Sequence, residues 1–168
     1  GVKIDVISIN IPGTYVTNER LKKTLVDAVN KYEIDPSHIE LEITETSYVD
    51  NIKEAISAVL QFRQLGFLVA IDDFGTGVSS LSYLKMLAVT TLKIDKSFVD
   101  GIPHTQKDAE IIKGIISLAS SLRLNVVIEG VENVDQAAYI NSNFEDALIQ
   151  GYYYSKPLSI EDYEEFSK

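Results

Sequence analysis

The sequence contains no cysteine, and this absence excludes two kinds of site. Without thiols there is neither a disulfide framework nor a thiolate metal site, which fits a reducing compartment. Histidine is almost as scarce, since only His38 and His104 occur, both in loop-like segments near prolines. Because the two do not form a spaced ligand pair, a zinc site is not expected.

Positive charge is also in short supply, with 15 Lys and Arg against 25 Asp and Glu, which gives a formal net charge of −10. Such a field repels a nucleic-acid polymer, so none is expected as a partner. A small anionic substrate is compatible with it where bound cations offset the local acids. The chain also lacks a run of 18 apolar residues and a signal peptide, which predicts a cytoplasmic domain or the cytoplasmic part of a membrane-anchored parent.

What the sequence does contain is a regular alternation of strand and helix patterns over one domain, residues 1–168. The predicted strands are Val2–Ile9, Ile39–Ile43, Phe67–Asp72, Thr91–Ile94, Leu124–Glu129 and Ala147–Gln150. Helical patterns follow each strand, and the second is predicted to face inward with Ile52, Ile56, Val59 and Leu60. Such alternation predicts a parallel sheet with helices outside it, in either a doubly wound sheet or a (β/α) barrel.

Polar residues at the carboxyl ends of the strands favour the barrel. These residues are Asn10, Glu42, Asp72, Lys93, Glu129 and Gln150. In a barrel these ends converge on one face, whereas in an open sheet they lie along a line. We therefore predict an α/β fold of the TIM type, here an incomplete barrel of about six of the usual eight βα units.

The stretch from Val69 to Leu81 is the centre of the pattern. An apolar run ends in two adjacent carboxylates, Asp72 and Asp73, and glycines at positions 75 and 77 permit a sharp turn. Adjacent strand residues point to opposite faces, so both acids serve one site only if the chain leaves the strand there.

The polar residues at the strand ends offer oxygen ligands, which select hard cations such as Mg²⁺ or Mn²⁺, with Ca²⁺ as an alternative. Crowded carboxylates repel one another, and this repulsion favours two ions, which would suit a phosphoryl displacement. Lys93 is placed to hold the attacking water or neutralise developing charge, and Glu132 to orient that lysine. Taken singly, Lys93 and Glu42 have plainer interpretations as exposed strand positions, and Asn10 as a turn residue.

Several motifs, in order along the chain, resemble those of the EAL domain family, barrel phosphodiesterases that hydrolyse the bacterial messenger cyclic di-GMP. The matching segments are Glu42-Ile-Thr-Glu45, Asp72-Asp73-Phe-Gly-Thr-Gly77, Ser79-Ser80-Leu81, Leu92-Lys93-Ile-Asp95, Glu129-Gly-Val-Glu132, Gln150-Gly151 and Pro157-Leu158.

This resemblance implies a role for each matching position. One metal would be bound by Asn10, Glu42 and Asp72, and the other by Asp72, Asp73 and Glu129. Lys93 would hold the attacking water, Glu132 would support it, and Gln150 would help to place the substrate. Glu45 would steady the loop after Asp73 and couple dimer contacts to the metals. The resemblance also implies a homodimer, or other self-association, and sensory or GGDEF-type domains in the parent chain.

One departure from the family is substantial, because the namesake Glu-Ala-Leu segment, with its metal-binding glutamate and the substrate-binding arginine after it, is absent. We therefore expect a domain truncated at its N-terminus, and a fragment that is a weak or inactive enzyme on its own.

Three functions follow. The first is metal-dependent hydrolysis of cyclic di-GMP to linear pGpG. The second is an inactive EAL-like module that binds cyclic di-GMP or a protein partner. The third is another Mg²⁺ barrel enzyme, in which Lys93 acts as a base on an enolisable carboxylate.

Overall fold

The computed structural model of the protein describes residues 4–44, 52–76 and 81–167. The described strands are β1 (Ile7–Ile11), β2 (Ile39–Thr44), β3 (Leu68–Phe74), β4 (Thr91–Ile94), β5 (Asn125–Ile128) and β6 (Leu148–Ile149). The described helices are α1 (Glu19–Lys31), α2 (Ile52–Gln64), α3 (Leu81–Met86), α4 (Gln106–Ser121), α5 (Val134–Asn143) and α6 (Ile160–Phe166). Strand and helix alternate throughout, as the sequence predicts.

All six strands join one parallel sheet in the order β1-β2-β3-β4-β5-β6. Consecutive strands are therefore neighbours, and helices α1 to α5 are the crossovers between them. This is the arrangement of a (β/α) barrel over six units, and the predicted fold class is confirmed. Among the described residues β1 and β6 do not pair, so the sheet is open between them. That two further units are missing stays a prediction.

Local signals explain where the helices begin. The side chain of Asn18 accepts hydrogen bonds from the backbone N–H groups of Arg20 and Leu21 at the start of α1. At the start of α5, Asn133 and Gln136 form a reciprocal capping box.

The apolar core lies between the sheet and its outer helices. The most deeply buried large side chains include Phe67, Leu92, Ile112 and Ile140. The prediction that Leu60 of α2 faces inward is wrong, because its side chain is 46% exposed. Phe62 takes the inward position, packed edge to face against Phe67 with ring centroids 6.3 Å apart.

The open side of the sheet carries exposed apolar side chains. Ile7 is 47% and Leu148 66% exposed, on the two edge strands, each of which pairs on only one side within the described part of the chain. Ile7 also lines a largely apolar pocket with residues of α6, among them Tyr163 and Phe166. Within the described ranges, no helix is long and apolar enough to cross a membrane.

The two open edges predict self-association of the 168-residue chain, because unpaired strands and apolar surface invite a second chain to pair with them. Sedimentation velocity should therefore detect oligomers. Ile7→Lys should lower the associated fraction because it places a charge on the open edge. Leu60→Lys is the matched control, since Leu60 is equally exposed, at 46%, but lies on α2. A monomeric chain, or an equal response to both variants, would rule out the open edge as the cause.

Candidate metal centre and active site

The ammonium group of Lys93 is the centre of the site. Its Nζ lies 2.6 Å from Glu42 Oε1, 2.8 Å from Glu129 Oε1 and 3.2 Å from Asp72 Oδ1. The lysine is only 3% exposed, and Glu42 only 6%. Both are therefore buried within the fold, which excludes the plainer interpretation of these two residues as exposed strand positions.

The parallel sheet brings these side chains together. Glu42, Asp72 and Lys93 lie at the carboxyl ends of β2, β3 and β4, and Glu129 follows β5 directly. Side chains on one face of a sheet recur every second residue, so the polar ends of adjacent strands meet inside the curved sheet. The convergence of strand ends predicted from the sequence is present for these four residues.

A bulge explains how Asp72 and Asp73 serve the same site. The register between β3 and β4 shifts between Ile71 and Phe74, where β3 has one residue more than β4. Asp73 adopts a left-handed conformation with φ of 54°, and this turns its side chain toward the side of Asp72. The strand continues to Phe74, so the expectation that it ends at Asp72 is wrong. The bulge, and not the end of the strand, places both carboxylates on the same side.

Three of the carboxylates form a group suited to a cation. Asp72, Asp73 and Glu129 each offer an oxygen within 4.8 Å of the others. Asp72 Oδ1 is buried and, although close to Lys93, makes no hydrogen bond within the described part of the chain. The ammonium near it is shared with two other carboxylates, so this buried oxygen is only partly compensated. A divalent cation with oxygen ligands would satisfy it, so these residues fit such an ion.

Charge and burial shift the pKa values of the group. Burial lowers the pKa of Lys93, but its hydrogen bonds to Glu129 and Glu42 outweigh burial and raise that pKa above its ordinary value. Burial raises the pKa of Glu129 to about 7, against the opposing effect of Lys93 and with added repulsion from Asp72. Burial, followed by the charge of Asp72, raises the pKa of Asp73. The lysine is thus a fixed cation, and the carboxylates still lack positive charge.

The sequence analysis predicts that Glu132 orients Lys93, but in the structure Glu132 has a different partner. Its carboxylate pairs with Lys96 at 2.5 Å, and both side chains are nearly half exposed. These two residues line an open cavity of 630 Å³ beside Glu129, together with Tyr152 and Lys156. Its lining is of mixed charge, with two lysines among three acids, so an anionic ligand there would still need bound cations.

The remaining predicted residues stand farther out. Asn10 lies near the end of β1, opposite Glu42 in register, and is exposed. Gln150 is also exposed and lines the cavity beside Glu129. Glu45 lies outside the described residues.

Gln136 is a buried residue at the site that the sequence analysis did not identify. Its Oε1 accepts hydrogen bonds from the backbone N–H groups of Glu132 and Asn133, and its Nε2 donates one to the carbonyl of Val99. It therefore joins the loop after β5 to the loop after β4. The capping-box spacing from Asn133 to Gln136 is the sequence signal that could have indicated it.

Comparison with known proteins gives one family. The family model described as EAL domain matches residues 1–157. The chain is 39% identical over 160 residues to the signaling protein YkoW of Bacillus subtilis, covering 95% of this chain and 20% of that protein. It is 46% identical over 128 residues to the cyclic di-GMP phosphodiesterase NbdA of Pseudomonas aeruginosa, covering 76% and 16%. The chain thus spans a fifth or less of these relatives.

A solved structure shares the fold. The PaMucR phosphodiesterase, in complex with c-di-GMP, superposes with a TM-score of 0.87 at 31% identity, over 94% of this chain and 64% of the other. MucR is a protein of Pseudomonas aeruginosa.

The raised pKa of Glu129 predicts how pH affects metal-free and metal-bound protein. Its pKa of about 7 exceeds the ordinary 4.5, so the folded state holds the proton more tightly and metal-free stability should fall as pH rises between these values. Mn²⁺ needs the deprotonated carboxylate, so it should raise the melting temperature more at about pH 8 than at about pH 6.

Differential scanning fluorimetry with and without Mn²⁺ measures both effects. Glu129→Gln is the control, because it removes the titrating group and should flatten the metal-free profile over this pH range. An equal gain from Mn²⁺ at both pH values would contradict the assignment of Glu129 to the cation site.

Proposed function

This chain belongs to the EAL domain family, and on that premise we propose that it hydrolyses cyclic di-GMP to linear pGpG with the aid of divalent cations. In this reaction the oxygen of water forms a bond to phosphorus, the bond from phosphorus to one ribose 3′ oxygen breaks, and that oxygen takes up a proton. The naming of NbdA as a cyclic di-GMP phosphodiesterase and the c-di-GMP complex of PaMucR support the choice of substrate.

The observation that carries the proposal is the contact of one buried ammonium with three carboxylates. Lys93 has Glu42, Asp72 and Glu129 within 3.2 Å, and Asp73 adds a fourth acid beside them. One positive charge against four carboxylates leaves a strong local excess of negative charge. A dianionic nucleotide would be repelled unless further cations offset this excess.

Two ions, Mg²⁺ or Mn²⁺, would be bound by this set of oxygen ligands. Asn10, Glu42 and Asp72 would hold one, and Asp72, Asp73 and Glu129 would hold the other. When bound, such ions activate a water and stabilise the entering and leaving oxygens of the displacement. The oxygen donors of Asp72 and Asp73 suit either ion.

Lys93 acts in this proposal as a fixed positive charge. Its raised pKa keeps the ammonium protonated, so it can donate a hydrogen bond to the attacking water and stabilise the charge that develops on phosphorus oxygens. The same pKa argues against the enolisation alternative, in which Lys93 would have to be neutral to remove a proton. Glu132 would support the water from the side of Lys96, and Gln150 would help to place the nucleotide.

The partners of the whole protein are part of the proposal as well. Homodimerisation, with Glu45 coupling the dimer contact to the metals, and sensory or GGDEF-type domains would provide the regulation. The chain covers only 20% of YkoW and 16% of NbdA, so those relatives have ample further sequence for such domains.

The test is to incubate the full-length protein with cyclic di-GMP and Mg²⁺ or Mn²⁺ and to separate the products by chromatography. Formation of pGpG that chelation abolishes is the expected result. Saturable nucleotide binding without turnover would support a binding module in its place, and neither binding nor turnover would refute both.

Asp72→Asn should abolish turnover in the full-length protein. An amide cannot supply the charge that bridges two cations, so the loss of metal-assisted activation should lower kcat by about 1,000-fold or more. Asp95→Asn is not a fair control because Asp95 lines the neighbouring cavity. Asp27→Asn, on the exposed part of α1, should retain parental activity. Near-normal kcat with Asp72→Asn would remove this residue from the site.

Lys93→Ala should lower kcat far more than it weakens nucleotide binding. A contact made mainly to the attacking water acts in the transition state and contributes little to ground-state affinity. Steady-state kinetics together with calorimetric binding of cyclic di-GMP separates the two effects. Should affinity collapse while kcat holds, Lys93 would instead be a binding residue.

A further inference from the structure

One more buried carboxylate, that of Glu40, lies inside the sheet and has no part in the proposed chemistry. Glu40, on β2, is only 6% exposed. Its Oε1 accepts a hydrogen bond from the Thr91 hydroxyl at 2.5 Å, and its Oε2 accepts one from the Ser8 hydroxyl at 3.2 Å. Among the described residues no cation pairs with it.

These hydrogen bonds connect three different strands. Ser8 lies on β1, directly opposite Glu40 in register. Thr91 lies on β4, which is separated from β2 by β3. Ala70 is the fully buried residue of β3 opposite Thr91 in register, and its small side chain leaves room for the Glu40 side chain to reach across. A single carboxylate thus ties β1, β2 and β4 together inside the sheet.

Each residue of this group stands two positions before a site residue on the same strand. Ser8 precedes Asn10, Glu40 precedes Glu42, and Thr91 precedes Lys93. Because side chains two apart along a strand share a face, the group forms a polar layer directly beneath the site. The hydrogen bonds of Glu40 fix the distances between the strands in this lower layer. Because only two residues of extended backbone separate the layers on each strand, the same distances hold for the site residues above.

Burial of the carboxylate argues for a role beyond packing. An apolar side chain would fill the same space without the desolvation penalty that a buried carboxylate carries. Hydrogen bonds, in contrast to apolar contacts, fix both distance and direction between their partners. Such supporting hydrogen bonds are how proteins hold metal ligands and catalytic groups in place.

We propose that Glu40 is a positioning residue, whose hydrogen bonds to Ser8 and Thr91 hold Glu42 and Lys93 at the spacing that the cation site and the attacking water require. This proposal rests on the proposed phosphodiesterase function for its kinetic readout, but its metal-binding readout is independent of that function. Glu40 touches neither substrate nor cation and acts only through the two residues above it.

The experiment compares Glu40→Leu, Glu40→Gln and Thr91→Val in the full-length protein. Glu40→Leu removes both acceptors, and Thr91→Val removes one donor. Both should weaken Mn²⁺ binding about 10-fold and lower kcat about 10- to 100-fold, with a smaller change in KM. Glu40→Gln keeps an acceptor for one hydroxyl and a donor for the other, so it should restore Mn²⁺ affinity and kcat to within about threefold of the parent.

Ile112→Ala is the control for general loss of stability. Ile112 is fully buried in α4, outside the sheet interior, so its truncation should lower the melting temperature while Mn²⁺ affinity and kcat hold. If Glu40→Leu does not fold, Thr91→Val and Glu40→Gln carry the same comparison.

Three outcomes would overturn the proposal. The first is that Thr91→Val and Glu40→Leu bind Mn²⁺ as tightly as the parent. The second is that Ile112→Ala loses as much Mn²⁺ affinity as these two variants. The third is a Glu40→Gln variant as impaired as Glu40→Leu, which would assign the effect to charge and not to position. If the parent binds Mn²⁺ but does not hydrolyse cyclic di-GMP, the proposed function fails, while the Mn²⁺ measurements still decide the role of Glu40.

Discussion

The contact of the Lys93 ammonium with Glu42, Asp72 and Glu129 is the interaction on which the site depends. Three of these residues lie on three different strands and Glu129 directly follows a fourth, so the contact exists only because a curved parallel sheet brings its carboxyl ends together. The lysine in turn offsets part of the repulsion that three neighbouring acids would exert. Fold and site therefore require each other, since neither the buried lysine nor the acids would be stable there alone.

The charge balance of this contact explains why cations are expected. Lys93 supplies one positive charge, and burial nevertheless raises the pKa of Glu129 to about 7 and that of Asp73 above its ordinary value. Among the described residues, the buried Oδ1 of Asp72 has no hydrogen bond and lies 3.2 Å from an ammonium that it shares with two other carboxylates. These are signs of carboxylates short of positive charge, and oxygen-binding divalent ions correct such a shortage.

The sequence predicted the order of strands and helices, because buried parallel strands are apolar runs and outer helices carry apolar stripes. It misplaced the first strand, which was predicted at Val2–Ile9 and lies at Ile7–Ile11. It also indicated Glu42, Asp72, Lys93 and Glu129, since position at a strand end is visible in the sequence. The bulge at Asp73 could not be predicted from the sequence, because a register shift depends on the neighbouring strand. The pairing of Glu132 with Lys96 and the buried bonds of Glu40 were missed for the same reason, since their partners are distant in sequence.

The cation site is tested most directly by the structure of crystals grown with Mn²⁺, with data collected at the manganese absorption edge. A two-cation site should give two anomalous peaks at this carboxylate group, both in contact with Asp72. Lys93 should also move from direct contact with the carboxylates toward the space between the ions and the open cavity. An absence of peaks there, with Lys93 still bound to Glu42, Asp72 and Glu129, would contradict a metal centre and leave the group as a structural ion-pair network.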